Sequence, residues 1–415
     1  PVPERQGWPY QHYDYEGRKK MYLEKLSAAC PEIDFLPATI GTAEEATAAL
    51  AAGGDADGYL VYILGIPSDV RPIALSGRPV ILVDDLYGGT GQFLGAYPQA
   101  LAQGKPVTGV SSSRLGDVAD AANAFVAIRK MKASTLLDIT DRDLGQSPAV
   151  YERNMGVKIQ PVPVADFNGS YEAADRQLGD RWAEFWTRHA EKTLEPDAAE
   201  LKKSGAMYIG MRNLLVKHNA QGIAVDCLRL FYSNQMHAYP CLGFFQMNND
   251  GLVGACEADL QSAATMLVMT YLTGRPGYIS DPVIDTAKNQ IIYAHCVAPS
   301  KVYGPRGPEN PYHIRDHSED RKGAAVRSLL PTGEMTTSLK FLPDQKLVVI
   351  HRAKTVENID DDRACRTKIA AEPRDARALM RGWKHGWHRV TVYGDWQVQV
   401  ENLAALMGFR VEEEG

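Results

Sequence analysis

Three stretches carry side chains whose types and spacing suit chemistry. In GLVGACEADLQSAATMLVMTYLTG, Glu257 and Asp259 stand where a strand-like apolar run meets an apolar helix. The crevice outside the carboxyl ends of strands is where open α/β sheets bind ligands. Acids at a helix start also complement the helix dipole, so each has a purely structural reading as well. In GYISDPVIDTAKNQIIYAHCVAP, Asp281 ends a short apolar strand and His295 lies near the end of another. Alone, an Asp before Pro is a turn former and a His in an apolar run is a hydrogen-bonded core residue. Together, a Glu, an Asp and a His at strand ends within about forty residues suit a hard divalent ion. Oxygen ligands with one imidazole fit Mn²⁺ or Mg²⁺ better than a structural Zn²⁺. In RGWKHGWHRVTVYGDW, His385 and His388 precede a strand. Trp383, Trp387 and Trp396 nearby form either an aromatic wall for a sugar face or a core cluster.

These residues need elements to hold them, and the chain is long enough to supply several. At 415 residues, two or three domains are expected. A composition of 45% hydrophobic and 23% charged residues excludes disorder and fibrous repeats. No apolar run approaches the ~18 residues of a membrane span, so no membrane partner is expected. The net charge of −6 argues against a general nucleic-acid binder. Six cysteines without a CxxC pair read as reduced thiols. The polar N-terminal stretch lacks the apolar core of a signal peptide, and a cytoplasmic location is expected.

Strand-like and helix-like segments alternate from residue 15 onwards. EGRKKMYLEKLSAACPE and TAEEATAALAAGGDADG read as helices, with IDFLPATIG a short strand between them. YLVYILG, RPVILVDDL and PVTGVSSS read as buried parallel strands. A doubly wound α/β domain is expected over 1–135, and a second over 136–320 that holds the acids. The second contains a long charged helix through YEAADRQLGDRWAEFWTRHAEK and a strand GIAVDCLRLF. A β-rich domain is expected over 321–415, opening with a hairpin that turns at Pro-Asp. Gly88, Gly89 and Gly91 follow an apolar strand but fit neither phosphate-loop pattern, so they read as a turn that could line a pocket.

The order PCLGFFQMNNDGLVGACEAD, SD, AHCVAP, IRDHSEDRKG, CRTK and HRVTVYGD resembles the L-fucose isomerase family, including its fucose-isomerase-like branch. L-Arabinose isomerases are more distant relatives. The resemblance runs from about residue 20 to near the end, and is most specific between 238 and 300. It implies two α/β domains followed by a β-rich one. It also implies aldose–ketose isomerisation through an ene-diolate, dependent on Mn²⁺ or another divalent cation such as Mg²⁺ or Co²⁺. A trimer or hexamer with active sites at subunit contacts is implied as well. Position by position, Glu257 and Asp281 match the two metal-binding acids, which would also share proton transfer. His388 matches the C-terminal histidine ligand, and His295 the histidine that also ligates in arabinose isomerases. The family's His-His pair is absent, since Trp387 and Arg389 flank His388. Trp387, Arg389 and Asp259 are the candidates for contact with substrate, Asp259 alternatively supporting the metal shell from behind. The alternatives are an isomerase or epimerase of an acidic or sulfonated sugar, or a non-catalytic sugar-binding protein on the same scaffold.

Overall fold

The computed structural model describes residues 8–66 and 69–415, so the start of the polar N-terminal stretch lies outside the described residues. The chain divides into two units, residues 1–130 with 398–410 and residues 131–397 with 411–415.

The first unit is built on a parallel sheet of Tyr59–Ile63, Val80–Asp84 and Val107–Ser111, in that spatial order. The order is sequential, without the reversal that a doubly wound sheet requires. Val80–Asp84 is buried at every position, as its continuous apolar run requires in a central parallel strand. Helix Ala43–Ala52 starts at a capping box in which Thr42 and Glu45 satisfy each other's backbone N–H. IDFLPATIG forms no strand; Pro37 within it cannot donate to a ladder. The turn after Val80–Asp84 runs against the neighbouring strand, and a Cβ on Gly89 would lie 1.8 Å from the carbonyl oxygen of Ile63. Close backbone approach therefore accounts for this glycine.

The second unit combines two larger sheets with a small one of Ala325–Ser328, Tyr312–Arg315 and Lys192–Thr193. Of the larger two, a parallel one orders its strands Lys158–Val162, Thr135–Ile139, Gly222–Val225, Val253–Ala255. Here the chain does reverse, between Thr135–Ile139 and Gly222–Val225, which is the doubly wound pattern. The charged segment expected as one helix is two, Val164–Glu172 and Arg176–His189, because Asp175 caps the second through the N–H of Leu178. In GIAVDCLRLF only Gly222–Val225 is strand, and Cys227–Tyr232 is already helical.

The other larger sheet is antiparallel and closes on itself. Met335–Leu342, Arg389–Tyr393, Tyr278–Asp285, Gln290–His295, Thr367–Pro373 and Leu347–Asn358 pair in turn, and the last pairs back to the first. Closure leaves these six staves without a free edge among themselves. The hairpin Met335–Leu342 to Leu347–Asn358 turns over Pro343–Lys346, as its Pro-Asp signal indicates. Its first strand is buried at seven of eight positions, not alternately. Helix Leu260–Thr273 explains this, because it packs on both the parallel strands and the outside of the barrel. The division differs from the three domains expected. Tyr278–Asp285 and Gln290–His295, which precede residue 320, are barrel staves, so no boundary falls there. Among the described residues, no helix is long and apolar enough to cross a membrane.

Candidate metal centre

Glu257 lies between strand Val253–Ala255 and helix Leu260–Thr273, at the carboxyl end of the parallel sheet. It and Ala258 take left-handed backbone conformations, with φ of 63° and 47°. For non-glycine residues this costs on the order of 1–2 kcal/mol each. The turn is held by two bonds, Glu257 N–H to Cys227 Sγ at 3.4 Å and Ala258 N–H to the Val225 carbonyl at 2.9 Å. Strain that neighbours hold in place is characteristic of sites where a side chain has to be aimed.

Asp281 sits inside strand Tyr278–Asp285 opposite Ala294, not at a turn. Its two oxygens face different partners. Oδ1 lies 3.1 Å from His388 Nε2 and accepts from Trp387 Nε1 at 3.0 Å. Oδ2 faces His295 Nδ1 at 3.4 Å and Cys365 Sγ at 3.5 Å. His388, just before strand Arg389–Tyr393, donates from Nδ1 to Asp259 Oδ2 at 2.9 Å. That leaves its Nε2 facing Asp281 Oδ1 and, at 3.4 Å, Glu257 Oε2. This Nε2 is buried and makes no hydrogen bond. Glu257, Asp281 and His388 thus offer one ligand atom each within 4.8 Å of one another.

The donor set fits a hard divalent ion. Octahedral coordination at ~2.0–2.1 Å separates neighbouring ligand atoms by roughly 3 Å, close to the spacings around His388 Nε2. Asp259 behind His388 is the carboxylate that fixes a ligating imidazole's tautomer and orientation. It is itself fixed, capping helix Leu260–Thr273 through the Ser262 N–H at 3.0 Å and lying 3.4 Å from Lys340 Nζ. The charges also balance. Glu257, Asp259 and Asp281 against Lys340 leave two negative charges when the imidazoles are neutral, matching a divalent cation.

The electrostatics of the arrangement express the same excess of acid. Burial opposes charge on Asp281, but His295 and then His388 hold its carboxyl far below the usual range. Asp259 is likewise held low against burial, by His388 and Lys340. Burial works against a charged His388, yet Asp259, Asp281 and Glu257 push its pKa up to about 11. A bound cation would take the place of that imidazolium charge.

Among the other expected residues, His295 is buried and reaches Asp281, Cys365 and itself forming a second group beside the first. Trp387 is 60% exposed and touches Asp281. Asp259 contacts His388 and Lys340, which places it behind the imidazole, away from Glu257 and Asp281. Arg389 is fully buried and commits its guanidinium to Glu414 and to the carbonyls of Lys384, Gly386 and His388. It is a structural anchor, not a substrate contact. Trp383 stacks over Arg389 and Trp396 over Arg275, so of the three tryptophans only Trp387 contacts a member of the Glu257, Asp281 and His388 group. Sequence reasoning passed over Lys340 and Cys365. The signal for Lys340 was a lone cation in a strand flanked by apolar residues; the signal for Cys365 was its place in the CRTK segment.

Asp259→Ala should lower divalent-metal affinity ~10–100-fold, the scale for losing a ligand's carboxylate support. His388→Ala should lower it at least as much, whereas His385→Ala should change it little. Isothermal titration of Mn²⁺ into the three variants checks this, and unchanged affinity in Asp259→Ala would detach that residue from the site.

No protein-family model matches the chain. It is similar to the sulfoquinovose isomerase of Clostridium sp. (strain MSTE9), 31% identical over 214 residues, 48% of this chain and 45% of that protein. To the sulfoquinovose isomerase of Priestia aryabhattai it is 28% identical over 195 residues, 46% of this chain and 43% of that protein. The sulfoquinovose isomerase of Alkalicoccus urumqiensis is 23% identical over 214 residues, 49% of this chain and 46% of that protein. The chain thus spans about half the length of the curated relatives it matches. These likenesses suggest a sugar isomerase family and are consistent with the fucose-isomerase-like resemblance.

Proposed function

We propose that the chain is a sugar isomerase that converts an aldose to a ketose at a divalent metal held by Glu257, Asp281 and His388, with Mn²⁺, Mg²⁺ or Co²⁺ as the ion. The observation that carries this reading is the orientation of His388. With Nδ1 tied to Asp259, its Nε2 can face only the space bounded by the two carboxylates. The ion would supply Lewis-acid stabilisation of the oxyanion that develops as the carbonyl and its neighbouring hydroxyl exchange.

The chain's own residues handle the proton. Isomerisation moves a proton between adjacent carbons through an ene-diolate, and the carbon acid is weak, so a base must sit within hydrogen-bond reach. Glu257 and Asp281 approach from different elements, one from the strained turn and one from the barrel wall. One carboxylate takes the proton from C2 and returns it to C1 while the other carries the hydroxyl proton from O2 to O1, so both end ionised as they began. Trp387 steadies Asp281 through its N–H and offers an exposed ring to the sugar's C–H face. On this reading the partner is a small sugar, and the trimer or hexamer that the fucose-isomerase resemblance implies would complete the pocket.

The name shared by the three relatives favours a sulfonated sugar as the substrate. The test is to strip the protein with EDTA, restore Mn²⁺, and follow aldose-to-ketose conversion of sulfoquinovose beside glucose and fucose. The expected result is conversion that EDTA abolishes and Mn²⁺ restores, fastest on the sulfonated sugar. Full turnover in metal-free protein, verified by elemental analysis, would overturn the metal reading. Turnover of the neutral sugars alone would overturn the sulfonated one.

A further inference from the structure

Five of the six cysteines, far apart in sequence, gather around the metal group. Cys227 accepts the Glu257 N–H, Cys256 precedes Glu257, and Cys296 follows His295. Cys227, Cys241, Cys256 and Cys296 belong to one buried core cluster, and Cys365 packs against it. Four of these five are buried, and only Cys365 is partly open. It also points its sulfur at Asp281 Oδ2, the oxygen turned away from His388.

We propose that Asp281, His295 and Cys365 form a second cation site, for a thiophilic divalent ion such as Zn²⁺ or Cd²⁺, joined to the first through the two oxygens of Asp281. The three residues offer one ligand atom each within 4.8 Å of one another. A tetrahedral ion with ~2.3 Å to sulfur and ~2.0 Å to oxygen or nitrogen separates S from O by roughly 3.5 Å and N from O by roughly 3.3 Å. The observed separations are 3.5 Å for Cys365 Sγ to Asp281 Oδ2 and 3.4 Å for His295 Nδ1 to the same oxygen. His295 is 2% exposed and makes no hydrogen bond through Nε2, so Nδ1, 3.4 Å from Asp281 Oδ2, is the nitrogen placed to ligate. The chemistry separates the two groups. Glu257, Asp281 and His388 present mostly hard oxygen, whereas the second group adds a thiolate, which selects softer ions. With three protein ligands, the fourth tetrahedral position is left for water or an anion.

An ion there would hold Asp281 Oδ2 and withdraw the carboxylate from proton transfer. On the isomerase reading, Zn²⁺ or Cd²⁺ is therefore an inhibitor; the site itself does not depend on that reading.

The test titrates Cd²⁺ into the metal-free full chain and follows the ultraviolet thiolate-to-cadmium charge-transfer band, with Mn²⁺ affinity measured in parallel. Wild-type protein should show a saturable band. Cys365→Ser should lose the band and weaken Cd²⁺ binding at least ~10-fold, with a larger loss for Cd²⁺ than for Mn²⁺. His388→Ala should show the reverse, keeping the band while losing Mn²⁺. No band in the wild type, or a band that persists in Cys365→Ser and vanishes in Cys296→Ser, would overturn the proposal. A wild-type chain that shows the band but binds no Mn²⁺ would instead count against the isomerase site alone.

Discussion

Glu257→Gln and Asp281→Asn should each lower kcat at least ~10²-fold, the scale for losing a general acid or base, with the fold intact. Each substitution keeps shape and hydrogen-bonding volume and removes the negative charge that takes up the proton. Both residues also ligate in this account, so metal content has to be measured beside rate. Near-normal kcat in both variants with metal bound would place the proton shuttle on other residues. Solvent deuterium should enter the product at the carbon that receives the proton, because Glu257 and Asp281 are 30% and 18% exposed and exchange with water.

The largest expected effect on stability lies beneath the site. Arg389 is 0% and Glu414 2% exposed, and their contact is doubled by Arg389 Nε to Glu414 Oε2 at 2.9 Å. Glu414→Ala should destabilise the protein by ~3–5 kcal/mol, because it leaves a buried guanidinium without its counter-charge. That corresponds to a melting temperature lower by on the order of 10 °C. The pair also sets an acid limit. Burial raises the Glu414 carboxyl, but Arg389 and then His351 outweigh it and hold the pKa below the ordinary value. A depressed carboxylate contributes its stability fully above the unfolded value of ~4.3 and loses it as pH falls below that. Melting curves of wild type and Glu414→Ala should therefore converge at low pH. An unchanged melting temperature at neutral pH would show that the pair contributes nothing net.

What was legible in the sequence was local. The apolar run of helix Leu260–Thr273, the acids at its start, and His388 ahead of Arg389–Tyr393 all follow from short-range pattern, and the structure brings Glu257, Asp281 and His388 together. The parallel strands were legible for the same reason, each a continuous apolar run bounded by Gly or Pro. The closed barrel was not. Its closure depends on Met335–Leu342 pairing with strands on both sides, and on staves drawn from 278–295. Such pairings between distant segments leave no short-range mark, so a domain boundary was expected where the barrel is continuous. Arg389 was misplaced for a different reason. Neighbouring side chains on an extended segment point to opposite faces. Adjacency to His388 therefore put Arg389 on the far side, where Glu414, distant in sequence, meets it. The thiols around the site were hidden in the same way, since Cys227, Cys296 and Cys365 converge only once the strands are assembled.

The central claim is that Glu257, Asp281 and His388 hold one hard divalent ion. Anomalous diffraction at the manganese edge, from crystals of the wild-type chain grown with Mn²⁺, tests it most directly. The account predicts an anomalous peak in direct contact with a carboxylate oxygen of Glu257, Oδ1 of Asp281 and Nε2 of His388. A peak elsewhere, or none at these residues in crystals that contain Mn²⁺, would contradict it.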